Sequence, residues 1–136
     1  MAKTKSPAGQ TEIKSKKPKL ESEAYLDSSR TVEVIGASFC GGQPKKGVDL
    51  GPNRMIDNGL VSQLESLNWN VICPETFPSY DHLKPEKEEI YKSVKNIKFV
   101  SEVTKVVHHH VKSCLLNKHF ALTLGGDHSL GIGTGT

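Results

Sequence analysis

The segment Gly125-Gly126-Asp127-His128-Ser129 contains the residues best suited to chemistry. It follows an apolar stretch, and its two glycines let the backbone turn tightly and present an acid and an imidazole at the end of that stretch. Imidazole is the commonest metal ligand, and a neighbouring carboxylate can orient it. Spacing alone leaves two interpretations open: a metal or acid–base site, or a hydrogen-bonded loop in which Asp127 caps the next turn.

The remaining histidines are weaker candidates. Successive residues of a helix point about 100° apart, so His108, His109 and His110 cannot converge on one ion and are expected at the helix surface. His82 and His119 have no partner nearby in the sequence.

The glycine-rich loop and the cysteines also match no common binding motif. The loop Gly41–Gly47 lacks the spacing of a phosphate-binding loop and of a dinucleotide motif. No two of the three cysteines lie two to four residues apart, which argues against a zinc module; they are Cys40, Cys73 and Cys114.

Hydrophobic patterning predicts the elements that position the Asp-His turn. Strands are predicted at Thr31–Gly36, at about Trp69–Cys73 and at Phe120–Leu124, where the third is apolar on both faces and so belongs inside a parallel sheet. Amphipathic helices are predicted from Asn53 to about Leu67 and over about 97–116.

The segments between these elements are predicted to be irregular. Glycines and prolines make residues 38–52 a long loop, and residues 74–96 a connection with one helical turn near Glu88. The resulting alternation of strands and helices indicates part of an α/β fold. Ligands of such sheets bind beyond the carboxyl ends of the strands, so the loops after Gly36 and Leu124 are the expected site.

Composition excludes several classes of protein. The 136 residues, 35% hydrophobic with a mean hydropathy of −0.42, form at most one soluble domain. No apolar run approaches the roughly 20 residues that span a membrane. The odd number of cysteines, three, argues against a secreted disulfide scaffold and for a reducing, cytoplasmic compartment.

Charge is divided unevenly along the chain. Residues 1–20 carry six lysines and one acid, whereas the rest of the chain has a small negative net charge. Residues 1–29 are therefore predicted to be a disordered basic tail, and neither nucleic acid nor membrane is expected as a partner. The run Lys14–Lys19 resembles a weak nuclear import signal, although a solvated terminus is favoured. No arginine precedes Arg30, which argues against a mitochondrial presequence.

Two sets of segments together resemble the arginase (ureohydrolase) family. The first comprises Val32–Ala37, Gly41–Val48 and Gly51-Pro52, and its Gly-Gln loop favours arginase over the related agmatinases. The second, a specific family signature, runs from Phe120 to Leu130 and continues with Ile132-Gly133-Thr134. The sequence is most similar to fungal or other eukaryotic arginases. The resemblance covers about residues 31–73 and 97–134.

The resemblance implies a hydrolase that splits L-arginine into L-ornithine and urea. In that family two Mn²⁺ ions share a bridging hydroxide, and the complete enzyme is a homo-oligomer, a trimer or hexamer. His128 matches a ligand of one manganese, while Asp127, Gly125 and Gly126 match positions of local support. No catalytic residue is assigned. The implied fold is the N-terminal part of a doubly wound, mainly parallel, three-layer αβα sheet.

The sequence departs from the family in its remaining metal ligands. These lie in an Asp-Ala-His-x-Asp motif and an Asp-x-Asp motif, and neither occurs here. Residues 30–136 are therefore expected to form the N-terminal portion of a truncated arginase domain that is inactive alone. Two alternatives stay open: a fragment of an agmatinase-like guanidino-hydrolase, and a non-catalytic regulatory or interaction fragment.

Overall fold

Three parallel strands form the sheet of this protein. The computed structural model describes residues 30–135, so the predicted tail at 1–29 lies outside the described residues. The strands are β1 (Thr31–Ala37), β2 (Asn70–Ile72) and β3 (Phe120–Gly125), and they lie in the order β2-β1-β3. The prediction of a parallel α/β sheet is thereby confirmed.

The central strand β1 is buried on both faces. Ile35 and Ala37 belong to the core that packs against the long helix α3 (Ile97–Leu116), whereas the alternate residues Val32 and Val34 are buried on the opposite face. The chain runs from β1 to β2 on one side of it, then back through α3 to β3 on the other side. Right-handed connections that run in opposite directions across a sheet place their helices on opposite faces. The arrangement is that of a doubly wound sheet.

The position of β3 differs from the prediction. Its apolar sequence predicted a strand inside the sheet, but within residues 30–135 β3 pairs only with β1 and forms an outer strand. Leu124 is buried, while Phe120 is 48% exposed. The prediction was wrong for the described sheet because apolar composition reports how easily a strand can be buried and says nothing about which neighbours it has.

The first amphipathic segment forms two helices rather than one. Helix α1 (Gly51–Asp57) has Pro52 in its first turn, as predicted, and α2 (Leu60–Ser66) follows after a break. Gly59 separates them with a φ of 84°, a left-handed conformation that interrupts the helical hydrogen-bond pattern. The apolar spacing continues across this break, so periodicity alone did not reveal it.

Helix α3 has the predicted bounds, and Glu88 caps its first turn. Glu88 Oε1 accepts hydrogen bonds from the backbone N–H groups of Lys98 (2.8 Å) and Phe99 (3.2 Å), which have no partner inside the helix. The helical turn predicted near Glu88 is wrong; a 3-10 turn lies earlier, at Asp81–Leu83. Among the described residues, no helix is both long and apolar enough to cross a membrane.

The burial of Val107 on one face of α3 leads to a prediction about the stability of the protein. Val107 is fully buried, whereas Leu116 on the same helix is 75% exposed. Val107→Ala should lower the free energy of unfolding by about 2 kcal/mol, because it removes packed methyl groups and leaves a cavity. Leu116→Ala is the matched control and should change it by less than about 0.5 kcal/mol. Urea denaturation measures both, and equal effects would contradict this assignment of the core.

Candidate functional site

The carboxyl ends of β1 and β3 lie side by side. The two strands pair in register up to Ala37 and Gly125. The chain leaves β1 into the glycine-rich loop and leaves β3 into the Asp-His turn, so the two loops meet at one edge of the sheet. Open parallel sheets bind ligands at this edge. The structure thus brings together the loops after Gly36 and Leu124.

Asp127 uses both carboxylate oxygens to hold these loops. Oδ1 accepts hydrogen bonds from the Ser129 backbone N–H (2.9 Å) and hydroxyl (2.5 Å), which caps the 3-10 turn His128–Leu130. Oδ2 accepts a hydrogen bond of 2.8 Å from the Gly42 N–H. Hydrogen bonds to a charged acceptor are stronger than neutral ones. Both oxygens are therefore engaged inside the protein, which corresponds to the capping interpretation of this residue.

The glycines of the turn allow a close approach of backbone segments. A Cβ atom on Gly126 would overlap the backbone carbonyl of Phe39, and one on Gly125 would lie 2.8 Å from Leu130 Cδ1. A side chain at Gly126 would push the β3 turn away from the chain that leaves β1. Gly126 therefore lets the two loops pack closely enough for Asp127 to reach across, whereas Gly125 leaves room for Leu130 within the turn itself.

His128 occupies the first position of the 3-10 turn, directly after the capped aspartate. The residue is exposed at the carboxyl edge of the sheet. Within residues 30–135 its imidazole takes part in no hydrogen bond or ion pair. Its ring nitrogens are thus available to an external ligand, while the backbone that carries them is held by Asp127.

A polar cleft of about 550 Å³ lies beside the glycine-rich loop. Its size falls in the range of small-molecule sites. The Asn96 side chain, at the start of α3, donates a hydrogen bond of 2.8 Å to the Gly41 carbonyl and so fixes one wall. Burial, followed by the nearby Asp49 carboxylate, raises the pKa of the Cys40 thiol in this cleft. His128 does not line the cleft.

The three consecutive histidines of α3 do not form a common site. His109 and His110 are exposed, as predicted, whereas His108 is half-buried. The His109 ring nitrogen Nδ1 lies 2.7 Å from the Lys105 carbonyl, one turn earlier on the same helix. The rings of His108 and His109 meet edge to face instead of pointing at one point in space.

A second polar group, which sequence reasoning missed, lies at the opposite edge of the sheet. Glu33, Cys114 and His119 place their ligand atoms within 4.8 Å of one another. His119 showed no partner because Glu33 is 86 residues earlier in the chain. One signal was available: Glu33 is an acid in a strand of otherwise buried residues, and an acid there needs a partner.

The comparisons with known proteins agree with this geometry. A family model described as the arginase family matches residues 30–136. The chain belongs to the arginase family. It is similar to the arginase of Neurospora crassa, with 37% identity over 111 residues that make up 81% of this chain and 31% of that protein.

Solved arginase structures share the fold. The crystal structure of arginase from Bacillus subtilis has a TM-score of 0.63 and 28% identity, and the match covers 76% of this chain and 32% of that one. Entamoeba histolytica arginase, solved in complex with L-ornithine, has a TM-score of 0.56 and 27% identity over 77% of this chain and 34% of that one. The resemblance to the arginase family, with fungal relatives, is confirmed. The chain spans about a third of the length of the curated arginases it matches.

The hydrogen bonds of Asp127 predict its contribution to stability. Asp127→Ala removes three hydrogen bonds and separates the two arginase-signature loops, so the free energy of unfolding should fall by about 1–3 kcal/mol. Asp57→Ala, at an exposed position in α1, is the control and should have little effect. Urea denaturation compares the two, and a neutral Asp127→Ala variant would show that the loops hold together without the carboxylate.

The thiols of Cys73 and Cys114 should differ in how fast they react with a thiol reagent, and this difference should depend on pH. Burial, then the Glu33 carboxylate, raises the pKa of Cys114 from 9.0 to about 11. The reactive thiolate is then about a thousandth of the Cys114 population at pH 8; this fraction rises about tenfold per pH unit, reaches half near pH 11 and levels off above it.

Modification by a disulfide reagent, followed by mass spectrometry, should label half-buried Cys73 well before Cys114 at pH 8. Labelling of Cys114 should accelerate up to about pH 11. Equal labelling rates at pH 8 would contradict the assignment of Cys114 as the buried, high-pKa thiol.

Proposed function

We propose that this chain contributes the first manganese ligand, His128, to an arginase-type hydrolase that converts L-arginine and water into L-ornithine and urea. The observation that carries the proposal is the exposed imidazole of His128, free of protein hydrogen bonds within residues 30–135, on a turn clamped by Asp127 in an arginase-family signature. When bound, two Mn²⁺ ions lower the pKa of water and provide a hydroxide nucleophile at neutral pH.

The donor set of the described residues fits part of such a centre. His128 offers one nitrogen, and the Asp127 oxygens are occupied by the Ser129 and Gly42 hydrogen bonds. Mn²⁺ is a hard ion that prefers several oxygen donors, so one imidazole holds it weakly. The resemblance assigns the other ligands to two aspartate-containing motifs that are absent from these 136 residues. We therefore propose that this polypeptide by itself does not hydrolyse arginine.

Within this function, the residues of the chain position one metal ligand. Asp127 holds the turn against the glycine-rich loop and so limits the directions in which the His128 ring can point. Gly126 permits the close packing that brings Asp127 within reach of Gly42, and Gly125 leaves room for Leu130 inside the turn. The four residues therefore act together, although only His128 would touch the metal.

Arginine is favoured over agmatine as the substrate by two observations. The Gly-Gln loop resembles that of arginases, and the curated relative from Neurospora crassa is an arginase. The Entamoeba histolytica structure holds L-ornithine, the amino acid product of the proposed reaction. A homo-oligomer, trimer or hexamer, and a cytoplasmic location complete the proposal; the free thiols Cys40, Cys73 and Cys114 agree with a reducing compartment.

A chimeric enzyme tests the role of His128. Residues 30–135 of this chain would replace the matching segment of the Neurospora crassa arginase, which supplies the rest of the metal centre. The chimera should release urea from L-arginine with Mn²⁺. His128→Ala should remove about one of the two manganese ions per subunit and lower kcat/KM by at least about 100-fold, because one metal loses its nitrogen ligand.

His109→Ala provides the matched control, because it removes an exposed imidazole from α3 and should leave both quantities unchanged. The 136-residue chain alone should release no urea under the same conditions. A folded chimera that keeps its manganese and activity after His128→Ala would refute the assigned role.

A further inference from the structure

The cluster of Glu33, Cys114 and His119 lies at the edge of the sheet opposite His128. Glu33 is near the start of β1, Cys114 is in the last turns of α3, and His119 immediately precedes β3. Among residues 30–135, this is the group in which three acidic, histidine or cysteine side chains place their ligand atoms close enough together to hold one metal ion. The proposed hydrolase function uses none of these residues.

The end of α3 places His119 next to Cys114. The backbone N–H of His119 donates a hydrogen bond of 3.1 Å to the Cys114 carbonyl. Lys118, just before, has a φ of 58°, and this left-handed residue turns the chain back toward the helix. The turn that ends the helix therefore brings together two potential ligands that are five residues apart in the sequence. This spacing differs from the short spacing of common zinc motifs.

Strand pairing adds Glu33 to the same cluster. Val32 pairs with Phe120 and Glu33 pairs with Ala121, so His119 and Glu33 project toward the same face of the sheet. That face packs against α3, which carries Cys114. His119 Nδ1 lies 3.0 Å from Glu33 Oε2, which shows that the imidazole and the carboxylate already point at each other.

The donor atoms and their burial fit a divalent ion with a mixed ligand set. In a tetrahedral zinc site, bonds of about 2.0–2.3 Å place the donor atoms about 3.4–3.7 Å apart. The three atoms here, all within 4.8 Å of one another, need side-chain shifts of about 1 Å or less to reach that spacing. Cys114 is fully buried, whereas the side chains of His119 and Glu33 are 18% and 31% exposed, which leaves an open side for a water ligand.

We propose that Cys114 Sγ, His119 Nδ1 and the Glu33 carboxylate form a zinc site, with water as the fourth ligand. A thiolate and an imidazole favour Zn²⁺ over the harder Mn²⁺, so this site is chemically distinct from the proposed manganese centre. The ion would join β1, α3 and the start of β3 at the amino edge of the sheet, a structural role. Binding displaces the thiol proton of Cys114, so affinity should increase with pH.

Cobalt substitution tests the site directly. The reduced, full 136-residue chain would be titrated with Co²⁺, which reports a thiolate ligand by a charge-transfer absorption in the near ultraviolet. One equivalent should produce this band, and Zn²⁺ should abolish it by displacement. Cys114→Ser should remove the band. Cys73→Ser and Cys40→Ser are matched controls that should keep it, since both thiols lie outside the cluster.

Two further variants keep the test decisive if Cys114→Ser fails to fold by circular dichroism. His119→Gln and Glu33→Gln retain the thiol and alter half-buried residues, and each should weaken Co²⁺ binding at least tenfold. Zn²⁺ should raise the Tm of the unaltered chain and leave that of His119→Gln unchanged. His109→Ala, which removes an exposed imidazole outside the cluster, should bind Co²⁺ as the unaltered chain does.

Three results would overturn the proposal: no charge-transfer band, a band that persists without Cys114, or full affinity in both His119→Gln and Glu33→Gln. In each case the three residues form a hydrogen-bonded cluster only.

Discussion

The parallel pairing of β1 with β3 is the constraint on which both polar clusters of this protein depend. Six residue pairs, from Val32–Phe120 to Ala37–Gly125, align the two strands. At the carboxyl edge this register brings the Asp-His turn beside the glycine-rich loop. At the amino edge it brings His119 beside Glu33. Because a strand's side chains alternate, a shift of one residue would send His119 and Glu33 to opposite faces and move Asp127 relative to Gly42.

The two clusters differ in how the protein uses its carboxylates. Both carboxylate oxygens of Asp127 accept hydrogen bonds that hold a loop, and the neighbouring imidazole of His128 is exposed. Glu33 instead lies against an imidazole and a buried thiol, so its charge contacts side chains that can themselves bind a metal. The first arrangement leaves one imidazole open to an external ligand, and the second groups a thiol, an imidazole and a carboxylate, a donor set that suits a softer ion.

The sequence predicted most of the elements because local patterns carry them. The apolar spacing of α3 gave its bounds, and the β-branched run from Thr31 gave β1. The break at Gly59 was missed because the apolar spacing runs through it, although Asn58-Gly59 is a local turn signal. The role of Glu88 was also missed, since the N–H groups it caps lie ten and eleven residues further along the chain.

By itself the sequence determined the family, the α/β class and the identity of His128 as the candidate ligand. These follow from residues that are adjacent in the chain, where the Gly-Gly-Asp-His segment and its preceding strand are one continuous pattern. Only the tertiary structure decided that Asp127 clamps Gly42, that β3 pairs only with β1 among residues 30–135, and that Glu33 meets Cys114 and His119. The physical reason is that these contacts join residues about 80 or more positions apart in the chain, and strand register and helix packing set their geometry.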